Sequence, residues 1–234
     1  MNIDLNDKVV IITGAAGGLG TPTVGVFADA GASLAVVGHK MDKLEAAFGD
    51  AHLRVQADLT DESAVEQMVE RVIAEFGRID ALVNIAGGFT MGAKTHETET
   101  KTWEFMHTLN ATATYLTCKH VLKQMVEQSS GAIVNVGAYA ATVASKQKMT
   151  PYLVSKQAVI RLTEALSAEY RQQNIRVNCI LPGTIDTEQN RQSMPDANHD
   201  NWVAPADIGR VIAFLCSDMA REVSGAKIPV IGKS

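Results

Sequence analysis

The stretch Val9-Val10-Ile11-Ile12-Thr13-Gly14-Ala15-Ala16-Gly17-Gly18-Leu19-Gly20 decides the fold. Four β-branched residues in a row suit a strand buried on both faces, where no alternation of polar and apolar side chains is needed. The glycines at 14, 17, 18 and 20 then form a tight turn, and a helical pattern opens behind them. Similar apolar runs return at 33–37, 53–55, 81–83, 132–136, 176–180 and 227–231. Amphipathic stretches separate them. Val65, Met68, Val69, Val72, Ile73 and Phe76 recur at helical spacing behind Thr60 or Asp61, either of which can cap a helix. Longer helical patterns cover about 100–128 and 152–173. Alternating strands and helices predict a single α/β domain over 1–234: a doubly wound parallel sheet of about seven strands flanked by helices. Ligands of such sheets bind beyond the carboxyl ends of the strands, so the glycine turn falls at the expected site.

Composition narrows the classes of function. A formal net charge of -5 argues against a nucleic-acid binder, which needs basic stripes. Cys118, Cys179 and Cys216 form no CxxC pair and read as packing thiols of a reducing compartment. No run approaches the ~20 apolar residues of a membrane helix, and residues 1–20 carry no secretion pattern. These observations predict a cytoplasmic protein without a membrane partner. The six histidines show neither H-x-x-H nor H-E-x-x-H, so no metal is expected.

A glycine turn between a strand and a helix lets the backbone approach a pyrophosphate, with helix N–H groups facing the phosphates. Thr13, Gly14, Gly18 and Gly20 match T-G-x-x-x-G-x-G, and the chain here resembles the short-chain dehydrogenase/reductase family. Other matches follow in the family's order. Asp58-Leu59 resembles its adenine-contacting pair, and Asn84-Ile85-Ala86-Gly87 its N-x-A-G segment. Asn110 resembles its relay asparagine, and Tyr152-Leu153-Val154-Ser155-Lys156 its Y-x-x-x-K motif. Pro182-Gly183-Thr184-Ile185-Asp186-Thr187 is similar to the loop that grips the nicotinamide carboxamide.

The resemblance implies a Rossmann-type, NAD(P)-dependent oxidoreductase acting on a small molecule and assembling as a homo-oligomer, dimer or tetramer. Its implied cofactor contacts are Thr13, Gly14, Gly17, Gly18, Leu19, Gly20, Asp58, Leu59, Asn84, Ala86, Gly87, Tyr152, Lys156, Pro182, Gly183, Ile185 and Thr187. Its implied catalytic residues are Asn110, Tyr152 and Lys156. Tyr152 and Lys156, four apart, share one helix face, where an ammonium can lower a phenol's pKa from about 10 toward a useful range. Tyr152 would exchange a proton with the substrate oxygen, Lys156 would also bind the nicotinamide ribose, and Asn110 would hold a relay water.

Two departures mark this chain. The family's serine, about thirteen residues before the tyrosine, falls on Tyr139 by direct counting or on Ala138 from the strand end. Three explanations compete: a substrate already activated by conjugation, a hydroxyl supplied by Tyr139, Thr142 or Ser145, or a degenerate enzyme. The Gly-Ala pair and the segment 186–197 with Trp202 following, within a lid around 186–204, resemble the dihydropteridine reductase branch. At the end of strand two, where NAD enzymes place a carboxylate, stand Gly38, His39 and Lys40, so NADP(H) is preferred over NAD(H). The leading expectation is hydride transfer between NADP(H) and a small carbonyl or conjugated C=O/C=N compound. The alternatives are an NAD(H)-dependent alcohol dehydrogenase or dihydropteridine-type reductase, and a cofactor-binding sensor or scaffold with little turnover.

Overall fold

The computed structural model describes residues 3–144 and 147–233. Seven strands form one sheet in the order β3-β2-β1-β4-β5-β6-β7, and every neighbouring pair is parallel. They are β1 Val9–Thr13, β2 Ser33–Gly38, β3 Leu53–Gln56, β4 Ala81–Asn84, β5 Gly131–Val136, β6 Ile175–Pro182 and β7 Lys227–Val230. The chain winds outward from β1 to β3, then returns to lay β4 on the other side of β1. The crevice at that reversal lies between the turn after β1 and the loop after β4.

The β-branched runs divide their side chains between two cores. Val10 and Ile12 join Val24 and Phe27 of α1 (Gly20–Asp29) and Ile208, Ile212 and Leu215 of α8 (Pro205–Cys216). Ile11, Ala35 and Val37 face the other way, onto Val65, Met68 and Val72 of α3 (Glu62–Phe76) and Val121 and Met125 of α5 (Ala113–Gln128). The short α2 (Met41–Phe48) covers the sheet beside β2 through Leu44. Asp61 caps α3 by accepting a hydrogen bond from the Ser63 amide at 2.9 Å, one of the two caps the sequence allows.

The helical pattern over 100–128 is not one regular helix. It consists of α4 (Thr100–Met106), a π-helical turn His107–Thr112, and α5. The Thr114 hydroxyl donates to the Asn110 carbonyl at 2.7 Å, four residues back along the chain. Asn110 itself is fully buried. The second long pattern forms α6 (Thr150–Tyr170), which starts two residues before its predicted beginning, with Pro151 in its first turn.

A polar ladder crosses the middle of the sheet. The Thr117 hydroxyl donates to Asn84 Oδ1 at 2.8 Å, and Asn84 Nδ2 donates to Asn135 Oδ1 at 2.9 Å. Asn135 Nδ2 then donates to the Thr163 hydroxyl at 3.0 Å. The ladder thereby joins α5, β4, β5 and α6 through atoms removed from water. Asn135→Ala leaves the Asn84 amide and the Thr163 hydroxyl short of partners. It should destabilise the protein by roughly 2–4 kcal/mol in urea unfolding, more than a surface asparagine would.

Candidate active site

The glycine turn is shaped by backbone proximity. Gly14 has φ +65°, and a Cβ there would lie 2.8 Å from the Ala86 amide nitrogen, so the turns after β1 and β4 nearly touch. Gly17 and Gly18 are exposed. A Cβ on Gly18 would stand 2.8 Å from the Thr187 methyl, which places the segment after β6 directly over the turn. The N terminus of α1 has no side-chain cap. Bare backbone at a helix N terminus suits a dinucleotide's pyrophosphate, so the residues present fit the expected cofactor.

Several expected contacts have their side chains turned inward. The buried Thr13 hydroxyl donates to the Val83 carbonyl at 3.4 Å and accepts from the Ala86 amide at 3.2 Å, clamping β1 to the loop after β4. Leu19 lies in the core with α1 and α8. The Asn84 amide is engaged in the polar ladder. For these three, only the backbone remains for a ligand. Asp58 is exposed, but Oδ1 accepts from both the Thr60 amide and hydroxyl, and those bonds hold its carboxyl below the usual carboxylate range. Leu59 packs at the margin of the core that holds α3 and α5.

At the end of β2, Gly38 packs near Leu44, while His39 and Lys40 are exposed. The His39 carbonyl accepts from Gln56 Nε2 at 3.2 Å. After β6, Pro182 ends the strand, and the Gly183 amide donates to the Val230 carbonyl at 3.0 Å. Ile185 bridges to Val203, closing the base of the segment that carries α7 (Glu188–Ser193). Thr187 caps α7 by accepting from the Asn190 amide at 3.2 Å, and Arg191 pairs with Asp186 through both carboxylate oxygens.

Tyr152 and Lys156 project from the first turns of α6 at the carboxyl edge of the sheet. Lys156 Nζ donates to the Val136 carbonyl at 2.9 Å. A Cβ on Gly87 would lie 3.1 Å from that nitrogen and 2.6 Å from Asn110 Oδ1, so Gly87, Asn110 and Lys156 converge. Asn110 Oδ1 accepts from the Gly88 amide at 3.0 Å, and its Nδ2 donates to the Gly88 carbonyl at 3.1 Å and the Ser155 hydroxyl at 3.0 Å. Ser155 in turn donates to the Tyr152 carbonyl at 2.8 Å. The sequence reading assigned nothing to Ser155, Gly88 or Val136. Ser155 stands three residues after Tyr152, a spacing that signals such a bond back along the helix. The two backbone partners leave no signal in residue identity.

Burial dominates the electrostatics. It pushes the Tyr152 phenol up from 10.0 to about 12 and the Lys156 ammonium down from 10.5 to about 8. Burial works against both charged forms, yet an ammonium with a pKa of about 8 still holds its proton at neutral pH.

Where the family has its serine, Ala138 is buried in extended conformation just past β5. Tyr139 packs against Ile160, Cys179 and Leu181, and the Thr142 hydroxyl donates to the Tyr139 carbonyl at 2.8 Å. Ser145, the third hydroxyl considered, lies outside the described residues.

Lys156 links this burial to stability. Between pH 8 and 10.5 the unfolded chain keeps a proton that the folded lysine has released, so stability gains from rising pH in that window. Lys156→Met removes the gain. The stability difference between parent and variant should move by about 3 kcal/mol in the parent's favour over that range, as read by urea unfolding at stepped pH.

Comparison with known proteins agrees with this geometry. The family model described as short chain dehydrogenase matches residues 8–198. The chain is 34% identical to D-threitol dehydrogenase of Mycolicibacterium smegmatis, covering 97% of this chain and 93% of that protein. Among solved structures, an NAD+-bound xylitol dehydrogenase superposes with TM-score 0.89 at 28% identity, covering 97% of this chain and 99% of that one. ElxO with NADP bound superposes with TM-score 0.90 at 27% identity, covering 96% and 97%. Among the described residues, no helix is long and apolar enough to cross a membrane. The chain belongs to the short-chain dehydrogenase/reductase family and is an NAD(P)-linked oxidoreductase.

Proposed function

We propose that this enzyme transfers hydride between NADP(H) and a small carbonyl or conjugated C=O/C=N compound, with Tyr152 exchanging the proton. The observation that carries this reading is the convergence of Lys156, Asn110 and Gly87, one helical turn from Tyr152 at the sheet's carboxyl edge. When bound, the nicotinamide cofactor supplies or accepts the hydride. Gly14, Gly17, Gly18 and the uncapped start of α1 would hold its pyrophosphate. Gly87, Lys156, Ile185 and Thr187 border the region where its nicotinamide end belongs.

Tyr152 stays protonated at neutral pH, so a proton is in place to pass to the substrate oxygen when the carbonyl is reduced. Lys156, held on Val136 with a pKa of about 8, can exchange a proton near physiological pH and replenish the phenol. Asn110 acts as a positioning residue: locked by Gly88 and Ser155, it keeps the loop after β4 against the start of α6.

Ala138 offers no donor to the substrate oxygen, and the nearby Thr142 hydroxyl is engaged locally. Loss of such a donor costs ~2.7–4 kcal/mol of transition-state stabilisation, which a substrate polarised by conjugation tolerates best. The exposed His39 and Lys40, with no carboxylate at Gly38, support NADP(H) over NAD(H). The exposed Tyr115 of α5 and Val154 of α6 leave apolar surface that a second copy would cover, which supports a homo-oligomer. Three buried free thiols suit the cytoplasm.

Turnover of simple and conjugated ketones by parent, Tyr152→Phe and Ala138→Ser proteins tests the chemistry. Tyr152→Phe should lower kcat by ~10²–10⁴ while NADPH still binds, and undiminished turnover would end the proposal. Ala138→Ser should raise the rate on simple ketones relative to conjugated ones by about tenfold or more. For the cofactor, Lys40→Ala should weaken NADPH by roughly two- to fivefold relative to NADH in fluorescence titration. A parent protein that prefers NADH would reverse the assignment.

A further inference from the structure

The rim of the site on the Tyr152 side is apolar. Phe89, in the loop after β4, meets the Tyr152 ring edge-on, with centroids 5.0 Å apart and planes at 83°. Yet its side chain is 59% exposed. A phenylalanine held against a phenol with most of its surface in water has an unsatisfied apolar face beside the proton-bearing group.

The neighbouring loops repeat the pattern. Met91 follows β4, Val143 follows β5 and Met194 follows β6, and these side chains are 64%, 38% and 41% exposed. All three loops leave the carboxyl edge of the sheet, the edge from which Tyr152 works. Elsewhere the exposed large apolar residues lie on helices or on the short turn that carries Met219, so this group is tied to the site. Ala138, buried just past β5, adds a further apolar residue at this edge of the sheet.

We infer that the site selects an apolar, ring-bearing ketone, held by Phe89 as a platform and by Tyr152 through one hydrogen bond, rather than a polyhydroxylated carbonyl compound. A ring presents a π-face or flat aliphatic surface to Phe89 and to the adaptable methionines, which bind planar groups by dispersion without fixed geometry. A polyol-derived substrate would bring several hydroxyls into surroundings that match few of them, each costing desolvation. This inference deepens the proposed function and rests on the same Tyr152 site. It also separates this chain from the similar proteins whose names contain threitol and xylitol.

Calorimetric binding of two probes, 1-tetralone and dihydroxyacetone, to NADP+-saturated protein reads recognition apart from turnover. The parent should bind 1-tetralone more tightly. Phe89→Ala should narrow that preference by roughly three- to tenfold, with Phe89→Leu between the two. Because Phe89 is largely exposed, both variants should keep the parent's melting temperature. Tighter binding of dihydroxyacetone, no binding of either probe, or a preference unchanged by Phe89→Ala overturns the inference. Reduction of both probes by NADPH is followed in parallel. Phe89-dependent binding without reduction would fault the proposed chemistry and leave the recognition standing. Reduction indifferent to Phe89 would do the reverse.

Discussion

Four buried side chains hold the middle of this protein in register: Thr117, Asn84, Asn135 and Thr163, bonded in sequence from α5 through β4 and β5 to α6. Hydrophobic packing alone would press the two helices onto the sheet without fixing how far each slides. Buried amides are directional and costly to leave unpaired, so the ladder admits essentially one arrangement. Asn110 lies just upstream of α5, and Tyr152 and Lys156 lie on the first turns of α6. Asn110 and Lys156, carried by the elements that the ladder joins, meet at Gly87. The π-helical turn supplies the last adjustment, carrying Asn110 into bonding distance of Gly88 and Ser155.

The opposite half of the crevice is built from what side chains would obstruct. Gly14 brings the turn after β1 against Ala86, and Gly18 brings it against Thr187. Here backbone lines the crevice, and the Thr13 side chain braces it from behind between Val83 and Ala86. Close backbone approach shapes the turn after β1, and the Val136 carbonyl holds Lys156 on the other side of the crevice.

Burial dominates the electrostatics at the start of α6, raising the Tyr152 phenol and lowering the Lys156 ammonium. Apolar side chains continue outward, with Ala138 buried just past β5 and Phe89 largely exposed beside Tyr152.

The sequence by itself determined the sheet. Period and composition announced seven strands, because a strand buried on both faces must be apolar throughout, and each run fell on or within two residues of the observed element. The glycine turn and the Tyr152–Lys156 spacing were also legible, since both are local patterns along one segment. Only the tertiary structure decided which side chains of these motifs face the core. Thr13, Leu19 and Asn84 occur within binding motifs yet point inward, and residue identity does not encode that orientation. Nor could sequence reveal the backbone carbonyl that holds Lys156, the Gly88 pair that locks Asn110, or the ring of Phe89 against Tyr152. These partners are brought together by strand order across the sheet, and contacts between distant segments leave no periodic trace in the chain.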